Sequence, residues 1–280
     1  MCLGALISAG VDFDLLKKEL ARLPVEGYDL HWKREKRNGI ACANVFVDLL
    51  ETGQPERRLA DIIKIIAGSE LPLEVKEKSQ AVFNRLAEAE AAIHATTSDR
   101  VHFHEVGAVD AIVDVVGTVL GLRLLGVDKV YASPLPMGKG FIECRHGVIP
   151  SPAPATLEVL RQAPIYGAGI EGELVTPTGA ALISVLADDF IDLPALTVEK
   201  VGYGAGKRVM DHPNLLRLIL GEPYEAKLPS LFPGHGGRHD REQLHTHPHE
   251  QQAGHSHAHE HKHGHVHHGQ RHDHLHENGE

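Results

Sequence analysis

The sequence has few cysteines, and they lie far apart. Its 280 residues include three, Cys2, Cys42 and Cys144, and a single tryptophan. An odd number of cysteines at such spacing provides no disulfide framework and is typical of a reducing compartment. These observations predict a cytoplasmic protein.

The sequence also lacks a long apolar run and an excess of positive charge. Its most apolar stretch, residues 111–127, is interrupted by Asp114 and Arg123 and is too short to span a bilayer. The formal net charge is −10, whereas a nucleic-acid-binding surface needs a basic patch. We therefore expect neither a membrane nor a nucleic acid as a partner.

Histidine, in contrast, is abundant and concentrated near the C-terminus, where residues 235–280 hold 16 of the 22 histidines. Almost no apolar residue accompanies them, so this segment cannot bury enough surface to offset its ordering entropy. Neutral imidazole is a good ligand for nickel, copper and zinc. Because the histidines are irregularly mixed with charged residues, a metal-binding role is favoured over an expression tag or a solubility tail. The predicted ligands are mostly in His-x-His steps: His245, His247, His249, His255, His257, His259, His261, His263, His265 and His267.

Before this tail, helical and strand patterns alternate, which predicts an α/β fold with a mixed sheet and packed helices. We predict a domain over residues 1–222, a Pro/Gly linker over 223–234 and a disordered His-rich tail over 235–280. Asp12 is a candidate helix N-cap, and Asn38-Gly39 is a strong hairpin signal. Helices are predicted at 3–23 (with a break near Gly10), 57–67, 72–95, 106–125, 154–162 and 177–186. Strands are predicted at 28–36, 40–50, 101–104, 129–133, 140–148, 197–203 and 215–220.

The strongest site candidate is the segment Val101-His102-Phe103-His104-Glu105. In an extended segment, residues two apart share a face, so His102 and His104 would point together. Two imidazoles on one face are half of a metal site. Two surface or hydrogen-bonded histidines would give the same spacing.

The helix that follows has a polar and small stripe on an otherwise apolar sequence. Asp110, Asp114, Gly117 and Gly121 recur at helical spacing, and Glu105 lies at the start of the same helix. Buried carboxylates need partners, which could be lysines and arginines or a metal with its histidines. The glycines leave room for another group to approach closely. We predict that this stripe forms part of a functional site.

Three weaker signals follow along the chain. If residues 140–148 form one strand, Cys144 and His146 share a face and form a soft metal-binding pair, although an inert cysteine is the commoner alternative. Lys139 between two glycines could bind a phosphate, as could the helix start at Thr176 and Thr178. The glycine-dense segment around Gly204 is predicted to be a loop. The spacing of its glycines does not match the motif that binds dinucleotides. Ordinary turns and caps would explain the same residues.

Several motifs together resemble the nickel-pincer cofactor biosynthesis family, LarC. They span about residues 3–222 and occur in the family's order. The motifs are His102 through Asp110 with Ile112-Val113-Asp114, Ser133 through Pro136, His146-Gly147-Val148, Pro152 through Thr156, Glu173 through Ala180 and Gly202 through Gly206.

The resemblance implies a nickel insertase, a CTP-dependent nickel chelatase of the lyase class. Such a protein inserts Ni²⁺ into pyridinium-3,5-bisthiocarboxylic acid mononucleotide and makes the nickel-pincer nucleotide cofactor of lactate racemase and related enzymes. CTP with Mg²⁺ or Mn²⁺ is expected on a further C-terminal domain. The implied partners are the mononucleotide, a lactate racemase-like apoenzyme that receives the product, and further copies of the chain in a homo-oligomer.

Two departures from the family pattern shape these expectations. The family's N-terminal strand and loop are missing before Met1, and the His-rich tail stands where the CTP domain would begin. We therefore expect activity to require a separate CTP-binding domain or subunit. The alternative is a non-enzymatic nickel storage protein or metallochaperone that relies on the tail.

Overall fold

The computed structural model describes residues 1–50, 57–103 and 108–224. The helices are α1 Cys2–Ser8, α2 Phe13–Leu20, α3 Leu59–Ala67, α4 Leu73–Ile93, α5 Val109–Leu124, α6 Pro154–Val159 and α7 Pro177–Leu186, with a short 3₁₀ helix at Ser98–Arg100. The strands are β1 Tyr28–Arg37, β2 Ile40–Leu49, β3 Arg57–Arg58, β4 His102–Phe103, β5 Tyr131–Ala132, β6 Leu135–Lys139, β7 Phe141–Cys144, β8 Gly147–Pro150, β9 Ile165–Glu171, β10 Asp189–Phe190, β11 Leu196–Ala205 and β12 Leu215–Pro223.

Local signals in the sequence define the first elements as predicted. Asn38 and Gly39 both have positive φ, 46° and 84°, which is the turn geometry that matches the twist of an antiparallel hairpin. The Asp12 side chain accepts a hydrogen bond of 2.9 Å from the Leu15 amide and caps α2. The predicted break near Gly10 separates α1 from α2, since Gly10 has a φ of 109°.

The main sheet has four strands in the order β1-β2-β11-β12. The outer pairs are antiparallel, whereas β11 runs parallel to β2 and pairs with it at Gly204 and Ala43. The sheet is therefore mixed, and the predicted α/β fold class is confirmed. Two-stranded ladders formed by β3 with β4, β5 with β10, β6 with β9 and β7 with β8 complete the described part.

The helices pack into a core on this sheet. α1 contacts β11, β2 and α5, and α5 in turn contacts α4. From Val109 to Gly121 nearly all of α5 is buried, as its apolar sequence predicts. Arg123 near the end of α5 lies 3.5 Å from Glu74 at the start of α4. The end of α5 is therefore held beside the start of α4.

None of the helices in the described ranges is both long enough and apolar enough to cross a bilayer.

Candidate functional site

Strand β4 forms part of the strongest candidate segment, residues 101–105. It pairs antiparallel with β3, with His102 opposite Arg58 and Phe103 opposite Arg57. Val101 and Phe103 are buried, as predicted for the face opposite the histidines, and the Phe103 ring lies 6.5 Å from that of Phe83. The side chain of His102 and all of His104 and Glu105 lie outside the described residues, so their convergence stays a prediction.

Of the two aspartates of α5, Asp114 interacts electrostatically with the start of the first helix. Asp110 in the first turn accepts a hydrogen bond of 2.9 Å from the Ala111 amide. Asp114 is mostly buried, and this burial raises the pKa of its carboxyl; the Asp110 charge acts in the same direction, whereas the N-terminal amine and Lys207 oppose it. Burial, with the Asp114 charge as a lesser cause, also raises the pKa of the Cys2 thiol. Cys2 and Lys207 therefore interact electrostatically with Asp114, which the sequence pattern did not indicate.

The two glycines of the stripe have a packing role. A Cβ on Gly117 would lie 2.8 Å from a methyl group of Leu3, and a Cβ on Gly121 would lie 2.7 Å from a methyl group of Leu6. The space left by the glycines is thus filled by buried leucines of α1. Only the aspartate half of the stripe remains available for chemistry.

The raised pKa of Asp114 predicts a pH-dependent stability. Below the ordinary carboxyl value of 3.8, the folded and unfolded states are both protonated and burial carries no charge penalty. As pH rises through the folded-state pKa, the buried carboxylate ionises and stability is lost. We expect Asp114→Asn to raise the urea midpoint at pH 7 and to have little effect at pH 4. Asp128→Asn, at an exposed carboxyl, is the control; an equal gain at both pH values would contradict the prediction.

Cys144 and His146 do not share one strand. Cys144 pairs with Gly147 across the β7–β8 hairpin, so Arg145 and His146 form its turn. The prediction of a single strand over 140–148 was therefore wrong, because it missed the turn at Arg145-His146, which is followed by Gly147 with a φ of 88°. The Cys144 thiol donates to the Gly147 carbonyl over 3.5 Å, whereas the His146 ring lies against His94, with centroids 5.2 Å apart.

A backbone hydrogen bond links the two segments that are proposed to bind a phosphate. Lys139 is exposed at the end of β6, and its carbonyl accepts a hydrogen bond of 3.0 Å from the Gly172 amide. Thr176, four residues further on, caps α7 as predicted by accepting from the Gly179 amide at 3.2 Å. A fully extended chain limits the distance from Gly172 to Thr176 to about 14 Å. Thr178 is half-buried in the first turn of that helix.

Gly204 lies in a different environment from the one expected. The predicted loop at 202–206 is largely the end of β11, and α1 crosses this strand closely. The carbonyl of Met1 and the amide of Ala5 occupy the position that a Cβ of Gly204 would take. The glycine therefore permits helix-to-strand contact on that face, which leaves no room there for a ligand.

Two concave regions lie on the described part of the chain. A groove of about 710 Å³ is lined by Ile170, Glu171 and residues 209–212. It adjoins the Lys139 backbone, and no sequence motif indicated it. A smaller cavity of about 180 Å³ includes Glu74 and Arg123; at 1.5 Å per residue, Arg123 is about 20 Å along α5 from Asp110. The smaller cavity is therefore remote from the candidate site.

Within the described ranges, no three His, Cys, Asp or Glu side chains are grouped as a metal site would require. A site with three such ligands would therefore need at least one group from outside those ranges.

Two comparisons with known proteins, by family and by individual relatives, agree on one family. The model of the nickel insertion protein family matches residues 1–267. The chain is 52% identical over 222 residues to the pyridinium-3,5-bisthiocarboxylic acid mononucleotide nickel insertion protein of Desulfitobacterium hafniense strain DSM 10664 / DCB-2, covering 79% of this chain and 55% of the relative. The protein of the same name from strain Y51 is 51% identical over 222 residues, with the same coverage.

The chain spans about half the length of the curated relatives it matches. No solved structure matches it. Since the family model matches nearly the whole chain and about half of the aligned residues are identical to these relatives, the chain belongs to the nickel insertion protein family.

Proposed function

We propose that this chain inserts Ni²⁺ into pyridinium-3,5-bisthiocarboxylic acid mononucleotide, in a CTP-dependent reaction completed by a separate CTP-binding domain. The observation that supports this most strongly is the 52% identity over 222 residues to a relative named for that insertion. The aligned length is close to that of the α/β unit carrying β4 and α5. On this proposal the product is the nickel-pincer nucleotide cofactor of a lactate racemase-like enzyme.

The proposed nickel ligands are His102 and His104, and Glu105 is an additional oxygen ligand. Imidazole and carboxylate are harder ligands than the two thiocarboxylates of the substrate, so nickel can move from N/O to S ligation. The carbon–nickel bond of the product replaces a ring C–H bond, and a carboxylate at the start of α5 accepts the released proton. Asp110 is half-buried there, and Asp114 lies one turn further in.

Lys139 and the Thr176 helix start are the proposed contacts of the substrate phosphate. The exposed ammonium supplies charge, and a helix N-terminus favours an anion through its dipole and free amides. The His-rich tail is proposed to collect nickel and raise its concentration near the site. CTP with Mg²⁺ or Mn²⁺ is assigned to the separate domain.

The second candidate is nickel storage or delivery without catalysis, and the histidine-rich composition of residues 235–280 favours it. Under this alternative the tail binds nickel, and residues 1–224 serve only to dock the protein onto a recipient.

Reconstitution separates the two candidates. The full chain is mixed with Ni²⁺, CTP, Mg²⁺ or Mn²⁺ and the mononucleotide, with and without a separately expressed CTP-binding domain, and activation of apo lactate racemase is measured. We expect activation only when the second domain is present. Tight nickel binding without activation in either mixture would overturn insertion in favour of storage.

A further inference from the structure

We propose that His94 and His146 together form a two-imidazole binding site for a divalent late transition metal, Ni²⁺ in this protein. The choice of nickel rests on the proposed function, whereas the site itself rests on geometry. His94 immediately follows α4, and His146 lies in the β7–β8 turn. The fold brings these distant residues into contact, with ring centroids 5.2 Å apart and planes inclined by 37°.

The separation suits a shared metal ion. With a metal–nitrogen distance of about 2.1 Å, two imidazoles on one square-planar or tetrahedral ion have centroids roughly 4.5 to 5.2 Å apart. The observed 5.2 Å lies at the upper end of that range. Both residues are exposed, so an ion can reach them from solvent.

The surroundings of His94 favour a cation. Glu90 Oε2 lies 3.4 Å from His94 Nε2, and a carboxylate at that distance attracts a cation. His94 also caps the C-terminal end of the 21-residue helix α4, where the helix dipole attracts positive charge.

The location connects the pair to the candidate site. Along the chain, His94 at the end of α4 is followed by the 3₁₀ helix Ser98–Arg100, which packs on α4, and then by His102 of β4. Two protein ligands leave the remaining coordination positions open to incoming groups. Such a site binds nickel reversibly and suits transfer towards the thiocarboxylates rather than storage.

Histidine-specific footprinting of the full chain tests the pair without interference from the tail. The chain is treated with diethyl pyrocarbonate over a range of Ni²⁺ concentrations, and modification is measured peptide by peptide. We expect His94 and His146 to become protected in parallel, with rates reduced about tenfold at free Ni²⁺ near ten times the dissociation constant. His31, which stacks on Phe46 and lies 3.0 Å from Asp48, is the unprotected control.

The His146→Ala variant decides whether the two rings act together. In that variant His94 should lose its protection at the same Ni²⁺ concentration, while the tail peptides stay protected. Persistent protection of His94, or no protection in the unchanged chain when the tail is saturated, would overturn the shared site. Racemase activation, measured on portions of the same preparations that were not treated with diethyl pyrocarbonate, keeps the proposals separate. Activation without protection refutes the pair alone, and protection without activation refutes insertion alone.

Discussion

Replacing His102 and His104 together with alanine is expected to reduce nickel insertion by at least about 100-fold, because even the loss of groups that only orient metal ligands costs 10- to 100-fold. The substitution removes the imidazole of His102 in β4 and that of His104, which follows the strand in sequence. The tail is unchanged, so total nickel binding should stay close to that of the unchanged chain. The measurement is racemase activation in the reconstituted mixture, together with equilibrium dialysis of Ni²⁺.

A matched control shows whether such a loss is specific. His31→Ala removes an imidazole from β1 in the main sheet, where the ring is 37% exposed, and it should retain full insertion activity. Thermal midpoints of both variants establish that they are folded. Full activity of the double variant would refute His102 and His104 as nickel ligands.

A large loss of stability is expected from one methyl group at Gly202. The Ala5 carbonyl of α1 occupies the position of a Cβ there, and the Ala9 amide would be 2.8 Å away. These are backbone atoms, so α1 must shift to admit the methyl group. We expect Gly202→Ala to lower the free energy of unfolding by at least about 2 kcal/mol, in the range of overpacked cores.

Gly167→Ala provides the comparison. Gly167 also lies in a strand, β9, but nothing lies within 4 Å of its Cβ position. The change should be neutral or stabilising by up to about 1 kcal/mol, since alanine restricts the unfolded chain. Urea unfolding of both variants tests the difference. Equal stabilities would show that α1 does not pack on β11 as closely as described.

The predictions made for α5 were confirmed for its burial but not for the role of its glycines. Burial of the helix followed from its apolar sequence, and burial of its aspartates followed from their place on it. The pattern could not distinguish a small residue beside a ligand from one beside a leucine. Gly117 and Gly121 turned out to accommodate Leu3 and Leu6, which are remote in sequence.

The histidines illustrate the same limit. The spacing of His102 and His104 is visible in the sequence because both lie on one short extended segment. His94 and His146 are separated by two further helices and several strands, so no spacing rule pairs them. Cys144 was the expected second metal ligand beside His146. Instead, His146 lies in the turn between β7 and β8, and its ring contacts that of His94.

The sequence by itself determined the features that depend on nearby residues: the turn at Asn38-Gly39, the caps at Asp12 and Thr176, the extent of α7 and the alternation that gives an α/β fold. These follow from backbone dihedral preferences and local hydrogen bonds, which act over a few residues. Only the tertiary structure decided which surfaces meet, including α1 on Gly202 and Gly204 and the contact between His94 and His146. Such contacts depend on how distant elements fill space together, and no short stretch of sequence carries that information.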